Sequence, residues 1–238
     1  MIDLDPTSEP LDCAEFERQL RATGHSYYIY HPLNVLLHSG GASREQVQGW
    51  VANRFYYEFS LPLMDAAILG NCTDPEVRRE WVLRIQDQDG QGSDPGSIEA
   101  WARLGQAVGL PATELWSLQH VLPAVRHAVD SYVDFARRQP WQEAVCASLT
   151  DLFAPSVPRE RLASWARHYP WIEASGLEYF RSRNCPLPLD RGYALRVTLE
   201  QFSTRADQNR ALGILRGKLE LLWSALDAIL QHYRGKAA

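Results

Sequence analysis

The 238-residue sequence predicts a compact all-α bundle, and three observations carry that prediction. Apolar residues recur at three- and four-residue steps along nearly every segment, the spacing that lays them on one helix face. Helix start and stop signals bracket those segments. Strand-like alternation is nowhere sustained.

Taken in order, Ser43 to Gln46 has the S-x-x-Q form of a capping box, and a long amphipathic stretch follows to about Cys72, with a bend expected at Pro62. Thr73-Asp74-Pro75 supplies a capping residue and a first-turn proline, opening a helix that runs to the Asp89-Gly90 stop. A Gly/Ser/Asp/Pro loop, Gly90 to Ser97, leads into Ile98–Val108, which Gly109 ends, and Pro111 starts a short helix. Val121–Arg138 is longer, and Pro140 separates it from Trp141–Phe153. Further helices are expected at about Arg159–Arg167, Trp171–Arg183 and Asp190–Phe202. In the last, Thr204–Tyr233, residues Leu212, Leu215, Leu219, Leu222, Leu226 and Ile229 form a core-facing seam.

The hydrophobic content of 45% is enough for one large domain, taken as residues 1–238, with 1–10 expected to be flexible and 234–238 frayed. No composition break, linker or repeat suggests a second. A net charge of −5 argues against nucleic acid or an anionic membrane as partner. Cys13, Cys72, Cys146 and Cys185 form no CxxC pair and read as reduced thiols. The acidic start MIDLDPTSEPLD resembles neither a secretory nor an organellar signal. No apolar run approaches the roughly 20 residues of a membrane span. A cytoplasmic location is expected.

Five cations fall where helical periodicity wants apolar residues: Arg54, Arg84, Arg161, Arg183 and Lys218. An unpaired buried charge is very costly, and no equal set of carboxylates stands beside them in sequence, so an anionic ligand is the expected partner. Trp50, Arg54, Glu58 and Leu61 share one stripe beside Tyr57, and Val77, Trp81, Arg84 and Gln88 make a second. Lys218 steps through the leucine seam, Arg161 precedes Trp165 by four residues, and Tyr179 and Arg183 are an i,i+4 pair. Tyr132 lies between Val129 and Phe135 on the inner side of its helix. Each has a plain structural alternative: Arg54 pairing with Glu58, Arg84 with Asp87 or Asp89, Lys218 snorkelling along its stem to water. Together with Tyr27, Tyr132 and Tyr179 they favour a polar pocket suited to a small aromatic polycarboxylate, gripped by guanidinium forks and tyrosine hydroxyls.

Other chemistry is set aside. The chain has no GxGxxG, P-loop or GxSxG, and Gly90–Ser97 reads as a connector. None of the seven histidines forms a metal-binding helical pattern, so no metal is expected. His31, ahead of Pro32, reads as a helix-start residue rather than a haem ligand, and Cys146 as a buried thiol rather than a nucleophile.

Several longer stretches are more specific. Gly49-Trp50-Val51-Ala52-Asn53-Arg54-Phe55-Tyr56-Tyr57, Ile98-Glu99-Ala100-Trp101, Pro140-Trp141-Gln142-Glu143-Ala144, Leu152-Phe153-Ala154-Pro155, His168-Tyr169-Pro170-Trp171-Ile172 and Tyr179-Phe180-Arg181-Ser182-Arg183 resemble the pyrroloquinoline quinone synthase family. The likeness runs in order from about residue 12 to 230. It implies a haem-oxygenase-like, TenA-like bundle of about seven main helices, a homodimer, and an oxidase that uses molecular oxygen without metal or redox cofactor. The implied reaction closes a ring in a bicyclic, amino-acid-derived tricarboxylate and oxidises it to pyrroloquinoline quinone (PQQ), releasing hydrogen peroxide. By position, Arg54, Arg161, Arg183 and Lys218 resemble residues that hold carboxylate and quinone oxygens, with Tyr132 contributing a hydroxyl and Arg84 beside them. Tyr179 and Arg183 resemble the part of the site that holds oxygen or peroxide.

The chain departs from the family in its chemistry. Asp87-Gln88-Asp89-Gly90 stands where the family has Asp-His-Asp-Gly, Ala154-Pro155-Ser156-Val157-Pro158 where it has Ala-Pro-x-Ile-His, and Tyr28 where it has a histidine. Glu58 replaces the usual Gln. Imidazole shuttles protons near neutral pH, whereas Gln88 offers hydrogen bonds alone. Three readings remain: a synthase in which Tyr28, Tyr179 and water carry protons, a paralogue oxidising another aromatic or amino-acid-derived substrate, and a binder of the quinone or its precursor without turnover.

Overall fold

The structure, a computed structural model, describes residues 5–153, 156–183 and 192–234. Cys185, Ala154-Pro155, the expected helix start at Asp190 and the extreme termini lie outside the described residues. Everything regular among the described residues is helical apart from one isolated bridge between Gln91 and Asp94.

The elements are α1 (Cys13–Ala22), α2 (Pro32–Ser39), α3 (Arg44–Asn71), α4 (Pro75–Asp89), α5 (Gly96–Ala107), α6 (Ala112–Trp116), α7 (Pro123–Arg138), α8 (Trp141–Ala147), α9 (Val157–His168), α10 (Glu178–Ser182), α11 (Tyr193–Gln201) and α12 (Arg205–His232). Of these, seven have ten or more residues, namely α1, α3, α4, α5, α7, α9 and α12. Helix α3 forms the axis of the bundle, packing on α4, α5, α7, α8 and α12.

Local chemistry fixes most boundaries. The Ser43–Gln46 capping box forms in both directions. Asp74 accepts from the Glu76 N–H ahead of Pro75. His31 Nδ1 accepts from the Leu33 N–H and starts α2, while its Nε2 meets Asp227 at 3.0 Å. Helix α1 went unread in the sequence, although Asp12 caps it through the Glu15 N–H and buries Phe16 and Leu20 four residues apart.

Three expected helices are shorter than their periodicity implied. Helix α7 begins at Pro123, because Leu122 is extended and gives its N–H to Asn53 Oδ1. Helix α8 stops at Ala147, where Ser148 Oγ turns back onto the Val145 carbonyl, and Leu149–Leu152 continues as a 3-10 turn. The stretch from Trp171 is turn and 3-10 helix until α10, since Gly176 must lie against α5: a Cβ there would sit 2.1 Å from Ala107 Cβ. Pro62 does not interrupt α3. It does deprive the Glu58 carbonyl of its usual i→i+4 donor.

The core has two parts. The larger gathers α3, α5, α7 and α9 around Trp50, Trp101 and Trp165, and the smaller holds Phe16, Leu20, Cys146, Phe202, Leu212 and Leu215. Indole rings pack in a row, edge to face between Trp165 and Trp50 and tilted between Trp50 and Trp101, and Trp101 meets Tyr179 at 4.6 Å between centroids. Each such aromatic buries on the order of 150–250 Å². This aromatic wall is rigid, and the site is built on it.

Candidate active site

Between α3, α4, α9 and α10 lies a cavity of about 200 Å³. The first sequence stripe supplies Trp50, Arg54, Tyr57, Glu58 and Leu61 to its wall, and the second supplies Trp81, Arg84 and Gln88. Tyr27 and Tyr28 reach it from the turns before α2, Arg161 from α9, and Tyr179 and Arg183 from α10 and its C-terminal cap. Tyr132 of α7 also lines it. Ten of the eleven residues singled out for this site therefore converge on one hollow. The eleventh, Lys218, lies behind Tyr57 and Tyr132, at the base of a smaller apolar hollow between α7 and α12.

The cations divide into two kinds, and here the sequence expectation needs correction. Arg54, Arg84 and Arg183 do have carboxylate partners. Arg54 Nε donates to Glu58 Oε1 at 2.8 Å. Arg84 Nε lies 3.3 Å from Asp65 Oδ1, not against Asp87 or Asp89. Arg183 donates to Asp87 Oδ2 at 2.6 Å and to Ser97 Oγ at 2.9 Å. A guanidinium has five donors, more than one carboxylate takes up, and each pair orients its arginine in the wall.

Arg161 and Lys218 are different. Arg161 is 3% exposed and donates from Nη2 to Asn34 Oδ1, its Nε has no acceptor, and its guanidinium lies 4.7 Å from the Trp50 ring centroid. No carboxylate pairs with it among the described residues. Burial first, and then the neighbouring Arg54, pull its pKa below the ordinary value despite the tyrosines around it. Lys218 is 4% exposed, so it does not snorkel. Its Nζ sits 2.7 Å from the Tyr132 centroid and 4.7 Å from that of Tyr57. Burial, with Arg54 adding to it, pushes its pKa well down. Ring faces alone supply about 2 kcal/mol to a desolvated cation, less than the cost of burying it.

For Arg54 the balance goes the other way. Burial works to lower its pKa, but Glu58 and the Tyr28, Tyr57 and Tyr179 oxygens outweigh it and hold the guanidinium above its usual range. Tyr179 is pushed up, first by burial and then by Glu58, against the pull of Arg183 and Arg54. It is a neutral phenol at physiological pH and therefore a proton donor.

Gln88 is part of a relay: Arg183 donates to Ser97 Oγ, which donates to Gln88 Oε1 at 2.6 Å. Among the described residues no acceptor meets its amide nitrogen, which is left for a ligand. Tyr132 gives its hydroxyl proton to the Ala147 carbonyl at 2.9 Å, so it offers a ligand an acceptor and not the donor expected of it. Cys146 is fully buried and its thiol is pushed up by burial, in keeping with an inert role. Asp65, Asn34 and Ser97 were missed. Asp65 continues the Arg54–Glu58–Leu61 stripe by four residues and was legible in it, whereas Asn34 and Ser97 belong to no pattern. Among the described residues no group of three or more His, Cys, Asp or Glu side chains is placed to hold a metal ion.

An all-helical bundle enclosing an arginine- and tyrosine-lined cavity defines the class, and comparison agrees. Residues 17–228 match the model of the TENA/THI-4/PQQC family, and the chain belongs to that family. It is similar to proteins named pyrroloquinoline-quinone synthase: 58% identical over 223 residues to that of Pseudomonas aeruginosa, and 56% over 224 to that of a Pseudomonas putida, covering 94% of this chain and 89% of each relative. The fold is that of a TenA homologue from Pseudomonas syringae pv. tomato (TM-score 0.72, 12% identity, 97% of this chain and 98% of the other). A Shewanella denitrificans domain of unknown function with a haem oxygenase-like fold gives the same TM-score at 11% identity, covering 94% of each chain.

Proposed function

We propose that this chain is an oxidase of the pyrroloquinoline quinone synthase type, closing and oxidising a bicyclic amino-acid-derived tricarboxylate to PQQ with oxygen as co-substrate. The observation that carries the reading is Arg161: a buried guanidinium facing the cavity, with no carboxylate partner among the described residues, is a site waiting for an anion. In this reading Arg161, Arg84, Arg54 and Arg183 hold the substrate's carboxylates. Tyr27, Tyr28 and Tyr132 position its ring. Tyr179 gives a proton to reduced oxygen beside Arg183, and the Gln88 amide donates to the same oxygens without titrating. No resident metal or redox cofactor is invoked.

The test is anaerobic mixing with the bicyclic precursor, then admission of oxygen with oxygen uptake and quinone absorbance followed together. Both signals are expected. Binding without either signal sinks the synthase reading.

Lys218 makes the binding step pH-dependent. A lysine whose folded pKa lies below its unfolded value of 10.5 leaves the unfolded chain with more protons between the two, so folded-state stability falls as pH drops through that window. A trianion in the adjoining cavity works against that imbalance, so at a pH within the window PQQ binding is expected to take up a proton that Lys218→Met does not. Calorimetry in buffers of differing ionisation enthalpy reads this directly, and equal uptake by both proteins removes Lys218 from the account.

We also propose that the protein is cytoplasmic and dimeric. Cys13, Cys72 and Cys146 are free thiols, and no helix among the described residues is long and apolar enough to cross a membrane. Phe59, Leu63 and Trp116 are exposed apolar side chains grouped around α3 and α6, a surface suited to a second copy. Sedimentation is expected to give a dimer, and a monomer at micromolar concentration overturns that part.

A further inference from the structure

Three carboxylates line this cavity, Glu58, Glu80 and Asp87, and of them Glu58 alone is buried. It is a carboxylate in the wall of a site otherwise read as a trap for carboxylates, and it is 1% exposed. One oxygen, Oε1, is held by Arg54 Nε at 2.8 Å. For the other, Oε2, no donor is found among the described residues, and Glu58 lies close enough to Tyr179 to raise that phenol's pKa. A carboxylate oxygen in the wall of the cavity is an acceptor open to a donor on the ligand. A substrate carboxylate next to it would be repelled. The group that satisfies Oε2 is a cationic donor.

We propose that Glu58 Oε2 is the receptor for a primary ammonium on the substrate, and so selects ligands that carry an amine together with their carboxylates. The inference rests on the proposed reaction, whose amino-acid-derived precursor bears such an amine while its product, PQQ, does not. Arg54 orients the carboxylate and supplies a carboxylate-binding edge of its own, so the Arg54–Glu58 pair reads an amino-acid head group in both halves. The three N–H groups of an ammonium can meet Oε2 and still leave donors for the Tyr28 and Tyr179 oxygens on the same wall. The pair also favours release. Once the amine has been consumed in ring closure, the product presents only acids and neutral ring nitrogens to Glu58, and repulsion replaces attraction.

The test compares two ligands on two proteins without oxygen: the bicyclic amino tricarboxylate and PQQ, binding to the wild-type protein and to Glu58→Gln. The isosteric amide keeps an acceptor but loses the charge. Loss of a charge-assisted contact predicts that the amine-bearing precursor binds about ten- to a hundred-fold more weakly to the variant. PQQ is expected to bind the variant as tightly as the wild type or more so, which also shows that the variant is folded. Weakening of both ligands alike, or an unchanged precursor affinity, overturns the assignment. If precursor binds with this discrimination but air yields no quinone, the proposed reaction falls and the receptor stands. If quinone forms equally well in Glu58→Gln with equal precursor affinity, the receptor falls and the reaction stands. Failure of the wild-type protein to bind the precursor overturns both.

Discussion

Replacing Arg161 by Met is expected to weaken PQQ binding by about 2–5 kcal/mol, the usual cost of removing one partner of a buried charge contact, while leaving the ligand-free protein as stable as before. The two halves have one cause. Without ligand, Arg161 is a buried cation whose only polar side-chain partner among the described residues is Asn34, with Nε unsatisfied. Exchanging such a charge for an apolar side chain of similar size is often neutral or stabilising. Against that stands about 1–3 kcal/mol for an Asn34 oxygen left without its donor, so the melting temperature is expected to hold or rise. Titration with PQQ and a thermal melt on one preparation read both quantities. An affinity within threefold of wild type would falsify the role of Arg161 as principal anion receptor. A large drop in melting temperature would assign it to structure instead.

Tyr179→Phe is expected to cut turnover by about 10²–10⁴, the range for a lost general acid, with PQQ affinity changed by less than about threefold. The ring is fixed by Trp101 at 4.6 Å and Phe180 at 5.5 Å, and phenylalanine keeps both contacts. Only the hydroxyl goes. Because burial raises the Tyr179 pKa, the proton-donating form persists past the ordinary tyrosine value of about 10, so activity that depends on this phenol declines only in strongly alkaline solution. Oxygen uptake with the bicyclic precursor checks the first statement and its pH profile the second. Unchanged turnover in the phenylalanine variant would move the proton donor elsewhere, with Tyr28 next in line.

Why the cavity is arranged as it is follows from its internal pairs. Arg54, Arg84 and Arg183 each give one edge to a carboxylate from their own or a neighbouring helix, which fixes the guanidinium and screens it in the empty state. Among the described residues Arg161 and Lys218 have no carboxylate partner, and burial pulls the pKa of both down. A protein with five bare cations in one hollow would be hard to fold. One in which Arg161 alone lacks a carboxylate among the described residues, backed by the Trp50 ring, can hold its site open until an anion arrives. Stability is given up locally so that ligand binding recovers it.

Much of this was legible before any coordinates. The capping box at Ser43, the Asp74-Pro75 start and the 3.6-residue stripes through Arg54 and Arg84 are local patterns, and a local pattern determines which face of its own helix a residue occupies. The sequence by itself therefore determined an all-α bundle and named the cations and tyrosines on its inner faces. Which carboxylate meets which arginine was decided only by tertiary structure: Asp65 takes Arg84 across α3 and α4, and Asp87 takes Arg183 from nearly a hundred residues away. The same holds for Lys218, which periodicity placed at the edge of a leucine seam and packing drew beneath two tyrosine rings. Helix phase is set by neighbours three and four residues along the chain. Charge pairing and burial are set by which helices cross, and no short-range pattern encodes that.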